Sequence, residues 1–146
     1  MTMHQAHATG QRTACSHAAS DYLFTAQQVA IGTFLAGPIC GGYLLARNFR
    51  RLQSNTDAVL VVGIGLIWMA LTLGLGFLLP EIPNPVFWAV NGLLARLATR
   101  EMMGEALQQH EATGGAFATG GQFFLAILPV LAAELAVFFA FALILL

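Results

Sequence analysis

QQVAIGTFLAGPICGGYLLARNFRR, residues 27–51, decides the fold. It is an apolar run ending in Arg47, Arg50 and Arg51. Gly32, Ala36 and Cys40 recur at every fourth position, Thr33, Gly37 and Gly41 recur beside them, and Pro38 sits at the midpoint. As one helix the run is long enough to cross a bilayer, and one side is bare enough for a second helix to approach closely. The stretch expected within lipid is 29–46, near the short limit for a crossing. Pro38 has no amide hydrogen, so the Phe34 carbonyl loses its helical partner and a kink is predicted between Phe34 and Pro38. Within lipid that carbonyl needs another donor. Just upstream, Thr25 and Gln28 have the spacing of a capping box, with Phe24 and Val29 as its hydrophobic staple. Tyr22 and Tyr43 are expected at opposite membrane interfaces.

Composition points the same way. Of 146 residues 58% are apolar and 9% charged, against about 25% charged in soluble domains. Such a chain cannot clothe a globule in solvated groups, and its length suits one small bundle. The six Lys/Arg positions are all arginine and offer no basic patch with interleaved aromatics, which excludes nucleic acid as a partner. Cys15 falls in a polar segment and Cys40 in an apolar one, so no bridge between them is expected. Residues 1–21 read as a flexible polar tail, without the charged start and apolar core of a signal peptide.

Beyond a short polar turn, residues 58–79 carry no charge and predict a second crossing, antiparallel to the first. Ala70/Gly74 and Thr72/Gly76 offer further places of close approach. PEIPNP, 80–85, stops that helix, and Asn84 with Pro85 predicts the start of another. Residues 85–112 predict an amphipathic helix with Val86, Phe87, Val90, Leu93, Leu94 and Leu97 on one side. Asn91, Arg96, Thr99 and Arg100 fall on the other. Its apolar part is half the length of a crossing. TGGAFATGG, 113–121, reads as a flexible glycine joint. Thr119 and Gln122 form a second capping box, and 123–146 predicts a terminal crossing. The expected fold is an all-α membrane protein, residues 22–146, with three transmembrane helices plus one half-length amphipathic helix.

The arginines set orientation. Arg47, Arg50 and Arg51 place the first turn in the cytoplasm and the N-terminus outside. With 85–98 lying in the interface the C-terminus ends inside. If that segment crosses, Arg96 and Arg100 join the cytoplasmic side and the C-terminus ends outside. Segment length favours the interfacial alternative, and charge counting the other.

Phe24-Thr25-Ala26-x-Gln28, Gly37-Pro38-x-x-Gly41-Gly42-Tyr43-Leu44-Leu45-Ala46-x-Asn48 and His110-x-x-x-Gly114-Gly115 resemble the shared pattern of a family of small bacterial integral membrane proteins. Ala36 stands where that pattern has a further glycine. The resemblance covers the first apolar run well, the glycine joint partly and 58–79 hardly at all. It implies a bacterial inner membrane and carries no activity to transfer.

Glu134 is the one charge-capable residue deep inside an expected crossing. An ionised carboxylate at the bilayer centre costs roughly 2.5–3.5 kcal/mol, so the group is expected to be neutral and to face protein. Two readings stand. As a packing clamp it donates to the freed Phe34 carbonyl or accepts from the Trp68 indole. As a relay it handles a proton or cation. His4, His7, Cys15 and His17 have soft-metal character, but their spacing matches no compact site, and chance histidines in a tail are the plainer reading. His110 beside the glycine joint suits a helix C-terminus and is a weak candidate for chemistry. The small-residue positions Gly32, Thr33, Ala36, Gly37, Pro38, Cys40 and Gly41 are expected to pack a helix of this chain or of a partner. No catalytic residue, cofactor or metal is expected. The function class expected first is a non-enzymatic membrane subunit or scaffold, in the lipid bilayer, as a homo-oligomer or with another membrane protein. The alternative is a small transport or proton-coupled component using Glu134.

Overall fold

The structure, a computed structural model, describes residues 22–52, 54–79 and 81–145, and the tail 1–21 with its histidines and Cys15 lies outside them. The described residues form four helices, α1 (Ala26–Arg51), α2 (Asn55–Leu78), α3 (Asn84–Ala112) and α4 (Gly120–Leu145). Two of them, over Ala26–Arg51 and Asn55–Gly76, are long and apolar enough to cross a membrane by length and composition. The third expected segment lies in α4, where Gly120–Ala136 forms a shorter apolar helix.

α1 does not run straight. Ala36 (φ −132°, ψ 33°) and Gly37 (φ 66°, ψ 178°) leave helical geometry, and the chain reverses there. The two ends of α1 consequently meet. Asn48 Oδ1 accepts from the Phe24 amide and Asn48 Nδ2 donates to the Phe24 carbonyl, each at 2.8 Å. Arg47 donates to the Tyr22 hydroxyl at 3.3 Å. In an unbroken helix residues 24 and 48 would stand about 36 Å apart at ~1.5 Å per residue. α1 is therefore a helical hairpin, with an outbound half over 26–35 and a return half over 38–51. Gly37 takes the positive φ that side chains resist, and Pro38 opens the return half, where a missing amide hydrogen costs nothing.

This corrects three expectations. The kink is a full reversal, 29–46 is not one straight crossing, and Tyr22 lies beside Arg47 and Arg51 rather than at the opposite interface. The Arg51 guanidinium stands 4.1 Å from the Tyr22 ring centroid. The small residues explain how the halves fit. A Cβ on Gly41 would collide with the Thr33 side chain, and one on Gly32 would stand 2.6 Å from a Leu44 methyl and 3.4 Å from Cys40 Sγ. The stripe of α1 closes α1 on itself.

The other three helices each pack on α1 and scarcely on one another. α2 leads away from the hairpin's mouth. A Cβ on Gly42 would stand 3.1 Å from the Val61 carbonyl oxygen, and one on Gly65 3.2 Å from that of Pro38. α3 returns towards the mouth. Trp88 meets Phe34 edge-on at 6.4 Å, and a Cβ on Gly92 would stand 3.1 Å from the Ala30 carbonyl oxygen. α4 leads away again, with Phe123 near Gly32 and Glu134 near Gly37.

α3 is one continuous helix of 29 residues, about 43 Å long, close to the bounds expected for it, 85–112. Its polar side divides, with Arg96 and Arg100 exposed and the rest departing from the amphipathic expectation. Asn91 and Thr99 are buried, whereas Val86, Val90, Leu93 and Leu97 are about half exposed. In lipid that is the favourable arrangement, since apolar side chains lose nothing by facing acyl chains and polar ones must face protein. α2 and α4 show the same exposed apolar surface, with Val59, Ile67, Leu78, Leu125 and Leu143 each more than 60% accessible.

The glycine joint is ordered rather than a flexible hinge. Leu23 donates to the Ala116 carbonyl at 3.2 Å and accepts from the Ala118 amide at 2.9 Å, forming a parallel bridge opposite Phe117. Gln28 caps α1 through Thr25 and also donates to the Ala118 carbonyl at 2.7 Å. The mouth of the hairpin is thereby sewn to the start of α4.

Candidate intramembrane site

The reversal in α1 lies level with the middle of α2 and of α4. A Cβ on Gly37 would stand 3.5 Å from Glu134 Oε1, 3.8 Å from Oε2 and 3.8 Å from Met69 Cε. Three elements thus converge on the break. α1 supplies the interrupted backbone, α2 the Met69 thioether and α4 the carboxyl group. Glycine at 37 is required by its positive φ, and the acid sits in van der Waals reach of its missing side chain.

A broken helix carries backbone groups without intrahelical partners on both sides of the break. The last carbonyls of the outbound half are acceptors. The first amides of the return half are donors and form the positive end of a short helix dipole. Within a bilayer, non-helical backbone persists only where protein or a water-lined space surrounds it.

Glu134 Oε1 is buried and has no hydrogen-bond partner. One of the two partners expected for it is otherwise engaged. Trp68 Nε1 donates to Asn91 Oδ1 at 2.8 Å, and Thr72 Oγ1 approaches the same oxygen at 3.5 Å. The clamp reading of Glu134 is corrected for Trp68. Asn91 was not anticipated as Trp68's partner, because periodicity groups it with Arg96 and Arg100. A lone asparagine among apolar neighbours on α3 was the available signal.

Of the remaining candidates, Thr33 Oγ1 donates back to the Val29 carbonyl at 2.8 Å, and Cys40 is a free, buried thiol. Between α1, α2 and α3 lies an open cavity of about 360 Å³ lined by Thr33, Pro38, Gly42, Gly65, Trp68 and Asn91 among others. His110 is far from the break. Its Nε2 stands 2.9 Å from the Ala116 carbonyl oxygen, so Nε2 carries the hydrogen, since a carbonyl only accepts. Its ring packs over Gly115 and edge-on to Phe117 at 5.5 Å. That is a brace for the joint, with no nucleophile or second base beside it among the described contacts.

No family model matches the chain, and neither a curated protein nor a solved structure does.

Proposed function

We propose that this chain is an integral membrane subunit that works through helix–helix contacts, with the α1 hairpin held inside three crossing helices. The observation that carries it is which glycines are occupied. Those of α1 are filled within the chain, whereas a Cβ on Gly63, Gly74 or Gly76 of α2 would meet nothing within 4 Å. At about 100° per residue, Gly63, Ala70 and Gly74 fall within roughly 40° of one another around α2. That bare strip of α2 is the seam offered to a second copy or to another membrane protein, in place of the α1 stripe.

The direction of the helices supports one topology. Arg47, Arg50, Arg51, Arg96 and Arg100 all belong to the hairpin's mouth or to the returning part of α3, so the mouth faces the cytoplasm. The N-terminus then lies inside with it, and α4 ends outside. A bacterial inner membrane rests on the family resemblance alone.

Cross-linking in native membranes tests the seam. Gly74→Leu should abolish cross-linked species while leaving the monomer folded and inserted. Unchanged cross-linking in that variant overturns the assignment.

A further inference from the structure

We propose that the break in α1 and Glu134 form a proton-binding site in which the carboxyl exchanges partners across the break, facing carbonyl acceptors when protonated and amide donors once the proton has left. Three observations converge on it. Both Glu134 oxygens face the position where Gly37 lacks a side chain. Oε1 is buried and without a partner. The backbone there is interrupted at Ala36 and Gly37, so the carbonyl end of one helical half and the amide end of the other meet at the position the acid faces.

The chemistry follows from what a carboxyl can do in each state. Protonated, it is a donor, and the carbonyls ending the outbound half are its partners. Ionised, it only accepts, and the amides opening the return half, at the positive end of that half's dipole, are its partners. One proton from water is taken up or released per exchange, and no other bond changes. Each state satisfies groups that the other leaves bare, and in lipid such groups are costly. The exchange therefore alters which half of the hairpin Glu134 and α4 lean on.

No competing charge confuses the assignment. On α1 the titratable neighbour is the Cys40 thiol, within electrostatic reach of Glu134. α2 presents Met69 and has no ionisable residue from Ala58 to Leu78. α3 packs on α1 and hardly on α4, and its nearest charges, Arg96, Arg100 and Glu101, lie towards the mouth.

The inference rests on bilayer placement and not on the α2 seam. The full chain in lipid nanodiscs, with incorporation verified by size exclusion, is titrated while a protonated-carboxyl infrared band and the amide signals of residues 36–41 are followed together. The expected result is a band that disappears as pH rises, in step with a shift of the Ile39–Gly41 amides. Glu134→Gln should lose the band and hold those amides at their low-pH positions. Glu134→Asp, one methylene shorter, should keep a titrating band with a diminished amide shift. A band that never titrates, or one that titrates while residues 36–41 stay unchanged, overturns the proposal. Failure to enter nanodiscs would instead count against bilayer placement.

Discussion

The side-chain amide of Asn48 occupies both the N–H and the C=O of Phe24, each at 2.8 Å and fully buried. A peptide-like group thus pairs with a peptide group 24 residues earlier, and this fixes the hairpin's mouth as a strand partner would. Asn48→Leu should orphan both main-chain groups at roughly 1–3 kcal/mol each. Equilibrium unfolding in mixed micelles should show a loss of that order. Wild-type stability in this variant would mean that the mouth is held elsewhere.

The reversal depends on a glycine where the halves touch. Gly41→Leu should block closure against Thr33, since overpacking a filled contact costs about 1–3 kcal/mol or more. The expected outcome is loss of folded monomer itself, in contrast with Gly74→Leu, which should spare it. Circular dichroism with size exclusion separates the two effects.

His110 holds the joint through a bond that needs only Nε2–H. His110→Ala should raise hydrogen exchange at Gly115 and at the 116–118 amides, and His110→Gln should restore part of the protection. Exchange unaffected by His110→Ala would remove the brace.

If the proposed membrane placement holds, Ser54 and Phe117 lie on one face of the bilayer and Ile82 on the other. Side-specific labelling of single cysteines at Ser54, Phe117 and Ile82, in a background without Cys15 and Cys40, should give the first two the same accessibility and the third the opposite. Equal accessibility of Ser54 and Ile82 would overturn the arrangement.

Much of this was legible in residue order. Both capping boxes form, the chain is all-helical among its described residues, and the disturbance at Pro38 falls where the missing amide hydrogen required. The reversal was not legible. Hydropathy measures how much apolar chain is available and carries no direction, and Gly-Pro permits a bend as readily as a turn-back. The deciding fact is a contact between Phe24 and Asn48, which no local pattern encodes. The burial of Asn91 and Thr99 on α3 was hidden for a related reason. Periodicity groups Asn91 with Thr99 and Leu93 with Leu97, but the surrounding solvent decides which group turns inward. The unpaired state of Glu134 was also invisible, because it depends on Asn91 having taken Trp68.

The link from Gln28 to Ala118 spans 90 residues, and Leu23 reaches equally far downstream. During synthesis the first greasy segment therefore leaves the ribosome long before its seal exists. The pairing of Phe24 with Asn48 closes the hairpin itself, whereas its attachment to the start of α4 waits for residue 118, so a chain truncated before that point would keep the hairpin and lose its anchor.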